Sequence, residues 1–200
     1  MINIILAGVG GQGTVLASKL IAECAMEKGY LTHAAETIGM AQRGGSVVSH
    51  VRIGDDIYSP LIPYGETDLL IGFEPSEAVR NLHYLKKDGT VVVSNRIITP
   101  TTATLTDEIY GSEEMIKFIK SKMKNVIVVD ADYITKECGS SKVLNVGLIG
   151  AAVGTGKVIF TREDIKETID SKIPEKYRKL NYKAFEIGSK FAKSEGNYES

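Results

Sequence analysis

The chain has 200 residues, of which 43% are hydrophobic and 24% are charged, and its formal net charge is -1. This balance predicts an ordinary globular protein with one continuous core, and the charge gives no electrostatic reason to expect binding to nucleic acid or to an anionic membrane. No apolar run approaches the roughly 20 residues that cross a bilayer, and the N-terminus lacks the regions of a signal peptide, so we expect a cytoplasmic protein.

The N-terminal segment has the order strand, glycine turn and helix. The apolar run 2–7 precedes Gly8-Val9-Gly10-Gly11-Gln12-Gly13, and a helical pattern then continues to Gly29. Such a turn brings backbone N–H groups and a helix N-terminus up to a phosphate, so it predicts an anion or nucleotide site, with a purely structural tight turn as an equally weighted alternative. A Rossmann dinucleotide site also needs an acidic residue about 20 positions on, and Glu36 stands at a suitable place.

The next segments predict a mixed sheet. Residues 30–36 have the pattern of a second strand, and residues 37–45 that of an ordered loop. Residues 46–53 alternate as a third strand, and the turn Gly54-Asp55-Asp56 suggests a hairpin in which residues 57–59 return. Because parallel strands need a long crossover that does not fit here, the pair is expected to be antiparallel.

Strand and helix patterns alternate over the remaining chain. Strands are predicted at 67–73, 90–94 and 125–129; helices are predicted from Pro75, over 112–123, over 146–153, from Arg162 and from about Glu175. This alternation predicts an α/β fold, a three-layer α/β/α Rossmann-like domain with a mostly parallel, mixed sheet. With no repeat or long linker visible, residues 1–200 are expected to form a single domain.

Three further features are candidates for function. The loop Gln42-Arg43-Gly44-Gly45 can present a guanidinium to a carboxylate or phosphate beside bare backbone, although a solvated loop arginine carries equal weight. His50 lies in an alternating strand, where a partnered structural histidine is the favoured interpretation. The segment containing Tyr58, Pro60, Pro63 and Tyr64 is either an exposed partner contact or a packed turn.

The chain offers few groups for chemistry of its own. Cys24 and Cys138 have no C-x-x-C spacing, so a zinc site, an iron–sulfur cluster or a redox dithiol is not expected, and both are predicted to be buried. No nucleophile, metal site or acid–base pair stands out. Such a domain either binds a cofactor with its own reactivity or completes an active site formed elsewhere.

Three segments together resemble a known family. They are 8–16 (GVGGQGTVL), 36–52 (ETIGMAQRGGSVVSHVR) and 58–75 (YSPLIPYGETDLLIGFEP). The chain is similar to the gamma-type subunits of 2-oxoacid:ferredoxin oxidoreductases, and among these to the indolepyruvate type. The resemblance implies the Rossmann-like fold of domain III of pyruvate:ferredoxin oxidoreductase, which makes residues 1–200 a single gamma-type catalytic domain.

The resemblance also implies a function and a set of partners. The enzyme oxidatively decarboxylates 2-oxoacids, here arylpyruvates, to acyl-CoA and reduces ferredoxin, with coenzyme A as co-substrate. Thiamine diphosphate and [4Fe-4S] clusters are carried by a larger partner subunit, so this chain is expected to hold no cofactor or metal alone, to be inactive in isolation and to meet ferredoxin only through the complex. A homodimer is a possible state of the isolated chain.

The same resemblance assigns the cofactor-facing residues. Gly8, Gly10, Gln12 and Gly13 match the family's glycine turn, and Glu36, Gln42, Arg43, Gly44 and Gly45 match its loop facing the partner. No catalytic residue or metal ligand is assigned. The alternatives are a free-standing NAD(P)-dependent dehydrogenase, supported by the glycine turn and Glu36, and a regulatory module that binds a nucleotide or acyl-CoA.

Overall fold

A computed structural model describes residues 1–38, 45–98 and 111–195. Its centre is a six-stranded sheet with the order β2-β3-β1-β4-β5-β6. The strands are β1 (Ile2–Val9), β2 (Thr32–Ile38), β3 (Ser46–Ile53), β4 (Thr67–Gly72), β5 (Leu85–Ser94) and β6 (Asn125–Val129).

The sheet is mixed, which confirms the sequence prediction. β1, β4, β5 and β6 run parallel, whereas β3 is antiparallel to both β1 and β2. The predicted hairpin partner was wrong, because β3 pairs with β2 and residues 57–59 belong to no strand. The guanidinium of Arg52 donates to the carbonyl oxygens of Ser59 and Leu61, so a side chain rather than a strand ladder fixes this returning segment.

Seven α-helices connect and flank the strands among the described residues. One helix was not predicted, because its eight residues are too short for a clear period; the side chain of Asp130 caps it by accepting from the N–H groups of Asp132 and Tyr133. The helices are α1 (Thr14–Glu27), α2 (Pro75–Asn81), α3 (Ser112–Lys122), α4 (Ala131–Cys138), α5 (Leu144–Gly154), α6 (Arg162–Lys172) and α7 (Glu175–Glu195).

The helices form two layers, so the predicted three-layer α/β/α arrangement is confirmed. α1, α5 and α7 lie against one face of the sheet with α4 and α6 packed on them, and α2 and α3 lie against the other. Each face has its own apolar core, centred on Leu6, Ile71 and Phe185 on one side and on Ile5, Leu70 and Val91 on the other. None of the described helices has the length and hydropathy of a membrane span.

Candidate functional site

The glycine turn lies where the connections of the sheet diverge. β1 and β4 are parallel neighbours, but α1 leads from β1 toward β2 at one edge, whereas α2 leads from β4 toward β5 on the other side. The carboxyl ends of the strands at such a point form a crevice, which is where ligands bind in open α/β sheets. The turn 8–13, the start of α2 and the start of antiparallel β3 all meet at this edge.

The glycines of the turn are needed for close packing and for backbone conformation. A Cβ on Gly8 would lie 2.8 Å from the Cβ of Phe73 and 2.8 Å from the Oγ1 of Thr14. Gly13 has a φ of 81°, and a Cβ there would lie 2.9 Å from the Nδ2 of Asn145 in α5. Both positions therefore exclude larger residues whether or not a ligand binds.

Gln12 fills the turn from inside. Its Oε1 accepts the N–H of Val9 at 2.7 Å, and its Nε2 donates to the carbonyl oxygen of Phe73 at 3.1 Å. The N–H of Gly10 donates to the carbonyl oxygen of Gly45 at 2.9 Å, which joins the turn to the start of β3. These backbone N–H groups are thus engaged within the protein.

The N-terminus of α1 remains the part of the turn suited to an anion. Its N-cap is Gly13, which supplies no capping side chain, and the first turn contains no acidic residue. The first N–H groups of a helix and its dipole favour negative charge. The hydroxyl of Thr14 at this end is buried and has no hydrogen-bond partner among the described residues.

A cavity of about 340 Å³ lies beside the start of α1. Leu16 and Asn145 line it on the side of the glycine turn, and Tyr177 contributes an aromatic wall. Lys142 and Lys172 also line it, and Lys172 forms an ion pair with Glu23 at 2.9 Å. The walls are mainly apolar and the charged groups are cationic, which suits a ligand with an apolar stem and anionic groups.

Two buried carboxylates on the β4 side were missed by the sequence prediction. Glu74, which is 1% exposed, caps α2 by accepting hydrogen bonds from the N–H of Glu77 at 3.0 Å and from the hydroxyl of Ser76. Its Oε1 has no hydrogen-bond partner within the described part of the chain. Glu77 accepts from the hydroxyl of Ser46 at 2.6 Å and from Arg80 at 2.7 Å. A glutamate directly before a proline at a helix start is the capping signal that could have revealed Glu74.

Glu36 does not stand where a Rossmann acidic residue stands. β3 lies between β1 and β2, so the strand that carries Glu36 is about 10 Å from β1 instead of adjacent to it. Its side chain is exposed, and its Oε1 is 3.5 Å from the hydroxyl of Ser18 in α1. The structure therefore brings Gly8, Gly10, Gln12, Gly13 and Gly45 together at one edge and places Glu36 apart from them.

The other predicted loop residues, Gln42, Arg43 and Gly44, lie outside the described residues. Their proposed role stays a prediction based on sequence.

The cysteines do not fit an iron–sulfur cluster. Both are buried, and burial raises the pKa of the Cys24 thiol to about 11, whereas a cluster ligand must be a thiolate. The described residues contain no group of three or more His, Cys, Asp or Glu side chains that could hold a metal ion, such as the one that accompanies a bound diphosphate.

Comparison with known proteins finds relatives that match nearly the whole chain. Indolepyruvate oxidoreductase subunit IorB of Pyrococcus horikoshii is 40% identical over 193 residues, which is 96% of each chain. The pyruvate/ketoisovalerate oxidoreductases common subunit gamma of Pyrococcus abyssi is 30% identical over 191 residues, which is 93% of this chain and 96% of the other. The crystal structure of a keto/oxoacid ferredoxin oxidoreductase gamma subunit from Geobacter sulfurreducens superposes with a TM-score of 0.68 at 25% identity, covering 97% of this chain and 99% of the other.

These relatives confirm the resemblance to gamma-type subunits that the three sequence segments indicated. The match extends beyond those segments to the second half of the chain, where no specific motif was recognised. Since the family model described as pyruvate ferredoxin/flavodoxin oxidoreductase matches residues 3–191, the chain belongs to that family.

Proposed function

We propose that the chain is the small, gamma-type subunit of a heteromeric 2-oxoacid:ferredoxin oxidoreductase whose substrate is an arylpyruvate of the indolepyruvate type. The observation that carries this proposal is the 40% identity to a subunit named for indolepyruvate, compared with 30% to subunits named for pyruvate and ketoisovalerate. Both alignments span nearly the whole chain, so the difference in identity favours the aryl substrate. Because the alignments run over nearly the whole chain, we also propose that residues 1–200 act as one domain.

The proposed reaction is the oxidative decarboxylation of the arylpyruvate to carbon dioxide and an aryl-acetyl-CoA, with the electrons passed to ferredoxin. We assign thiamine diphosphate and [4Fe-4S] clusters to the larger companion subunit, since the side chains in the described part of this chain do not fit them. The chain's own contribution is binding and orientation at the crevice beside β1 and β4.

Coenzyme A is the ligand that we assign to this chain's side of the shared site. The uncapped N-terminus of α1 and the cationic, mainly apolar cavity beside it suit the phosphates and the apolar stem of that molecule. The turn residues Gly8, Gly10, Gln12, Gly13 and Gly45 form the adjoining wall. Gln42, Arg43 and Gly44 belong to the same proposal, with Arg43 as a fixed positive charge toward a carboxylate or phosphate. Glu36, which lies apart from the turn beside Ser18, is left out of it.

Reconstitution with the larger companion subunit tests the proposal. We expect the isolated chain to reduce no viologen dye, and the reconstituted enzyme to reduce it with indolepyruvate and coenzyme A. Phenylpyruvate should be used well, and pyruvate, 2-oxoisovalerate and 2-oxoglutarate poorly. Turnover by the isolated chain, or a preference for pyruvate, would overturn the proposal.

The coenzyme A assignment has its own test in the same assay. Lys142→Ala and Arg43→Ala are expected to raise the KM for coenzyme A by about tenfold each, because a charge-assisted contact to a phosphate is lost. Lys19→Ala removes an exposed positive charge elsewhere on α1 and should leave this KM unchanged. Equal KM values in all these variants would place coenzyme A on the companion subunit instead.

A further inference from the structure

The helices among the described residues cover only part of the sheet face that carries α2 and α3. α2 packs on β1, β4 and β5, and α3 packs on β6. Over β3 on this face lies instead the segment 57–64, which we call the aromatic loop. In a three-layer α/β protein both faces of a sheet are normally covered, and no described helix covers this end of the face.

The backbone of the aromatic loop is held firmly against β3. Arg52 donates to the carbonyl oxygen of Ser59 at 2.8 Å, and its Nε donates to the Oδ1 of Asn3 at 3.1 Å. The N–H of Ile62 donates to the Nδ1 of His50 at 3.2 Å. Burial lowers the pKa of His50, so its ring stays neutral and this nitrogen remains an acceptor.

Large side chains nevertheless point away from the protein along this loop. Tyr58 is 92% exposed, Tyr64 is 72% exposed and Leu61 is 53% exposed. The ring of Tyr64 makes edge contacts with His83 and Tyr84 at centroid distances of 4.6 and 4.9 Å. Aromatic side chains on a rigid backbone lose little conformational entropy on binding, and such residues are enriched among those that dominate the energy of protein interfaces.

The aromatic loop adjoins the open edge of the sheet. A cleft of about 450 Å³ is lined by Thr37 of β2, by His50 and by Tyr64 and Tyr84. β2 is the edge strand, it pairs with β3 without a bulge, and it contains neither lysine nor proline. Among the described residues no further strand pairs with its outer edge, and Glu36 is the one charged side chain exposed on it, so β2 offers backbone groups with which another chain can pair.

We propose that the aromatic loop, the cleft and β2 form the surface on which the larger companion subunit docks, with an apolar side chain of that subunit in the cleft. This inference rests on the proposed function.

The charges around the aromatic loop favour the companion subunit over a second copy of this chain as the occupant of the surface. Asp55, Asp56 and Glu66 are exposed, and their carboxylates form no ion pair with any described residue. A second copy would bring the same negative charges, whereas a companion with a lysine- or arginine-rich rim would complement them.

Binding of the full chain to the larger subunit tests the interface. Tyr58→Ala combined with Leu61→Ala is expected to raise the dissociation constant by about tenfold or more, because the variant lacks two side chains that the complex would bury. Both residues are exposed, so folding should not change. Tyr133→Ala, at a 50% exposed tyrosine on α4 in the other helical layer, is the matched control and should bind like wild type. Viologen reduction by the enzyme reconstituted with the Tyr58→Ala, Leu61→Ala variant should recover when the larger subunit is in excess.

A charge reversal tests the choice of occupant. Asp55→Lys combined with Asp56→Lys is expected to slow association with the companion and to reverse its dependence on salt. If wild type fails to bind the larger subunit at all, the proposed function is wrong. If wild type binds and forms an active enzyme while the loop variants bind like Tyr133→Ala, the docking inference is wrong and the proposed function stands. If the loop variants instead abolish a homodimer in analytical ultracentrifugation and leave companion binding unchanged, the surface joins two copies and the inference is overturned.

Discussion

The Nε2 of Gln12 donates to the carbonyl oxygen of Phe73, so one side-chain amide joins the glycine turn after β1 to the end of β4. The same amide accepts the N–H of Val9 through its Oε1. In a phosphate-binding turn the backbone N–H groups face a ligand, but here the side chain of Gln12 accepts the N–H of Val9. Gln12 is therefore a cross-link of the turn, whatever binds at the neighbouring helix N-terminus.

Replacing Gln12 should destabilise the fold. Gln12→Ala leaves the Val9 N–H and the Phe73 carbonyl oxygen without partners in a partly buried place, and we expect a loss of about 1–3 kcal/mol in the free energy of unfolding. Urea denaturation followed by circular dichroism measures it. Lys19→Ala, an exposed change on α1, should stay within about 0.5 kcal/mol of wild type. A Gln12→Ala protein as stable as that control would show that the cross-link contributes nothing.

The contact between α5 and α7 depends on glycine at both helices. A Cβ on Gly150 would clash with the carbonyl oxygen of Phe185, and one on Gly188 would clash with the carbonyl oxygen of Gly147. Backbone atoms cannot yield as a flexible side chain does, so the two helices would have to separate. The small residues of α5 therefore set the distance between these helices and, through them, the shape of the core.

Gly150→Ala is accordingly expected to lower the free energy of unfolding by about 3 kcal/mol or more, which is the upper end of the range for overpacked cores. Gly156, just after α5, has a φ of 68° and open space around its Cβ position, so Gly156→Ala should cost only about 1–2 kcal/mol through backbone strain. Thermal unfolding of both variants makes the comparison. Equal melting temperatures would contradict the proposed backbone clash.

Particular elements show how far the sequence could predict the structure. Strand β6 was predicted with its observed bounds, since a short apolar run between an amphipathic helix and a polar turn has few alternatives. The partner of β3 was predicted wrongly, because pairing depends on contacts between distant residues. Arg52, which fixes the aromatic loop from β3, illustrates this: strand alternation gives the face on which it lies but not the carbonyl groups that it reaches.

The candidate site was likewise predictable only where it depends on local sequence. The glycines follow from local backbone requirements, so the turn was placed correctly. The separation of Glu36 from that turn depends on the insertion of β3 between two strands, which no local pattern reports. Glu74 lay within a recognised helix start but was not singled out, since its burial arises only when α2 packs on the sheet.

The carboxylate of Asp164 should make stability depend on pH. The hydrogen bond from Lys28 at 2.8 Å and the N–H of Thr161 hold the pKa of Asp164 below its usual value. A carboxylate with a lowered pKa in the folded state stabilises the protein above its unfolded pKa of about 3.9, and this contribution is lost as the pH falls through the folded pKa.

Asp164→Asn is thus expected to lower the free energy of unfolding by about 1 kcal/mol at about pH 7, with a difference from wild type that shrinks below about pH 4. Urea unfolding at several pH values gives the comparison. Glu113→Gln removes one partner of an exposed pair with Lys117, at 3.9 Å, and should have little effect at any pH. A pH-independent difference for Asp164→Asn would mean that packing or capping, and not charge, accounts for the loss.

The chain is not expected to bind NAD(P)H. A dinucleotide site would need a carboxylate at the end of the strand next to β1, and here that neighbour is antiparallel β3, while Glu36 stands one strand further away beside Ser18. The turn N–H groups of Val9 and Gly10 are already engaged by Gln12 and Gly45. Titration followed by NADH fluorescence should therefore show no change up to about millimolar cofactor, the upper end of usual enzyme affinities. Saturable binding that Glu36→Ala abolishes and Lys19→Ala preserves would instead support a dehydrogenase.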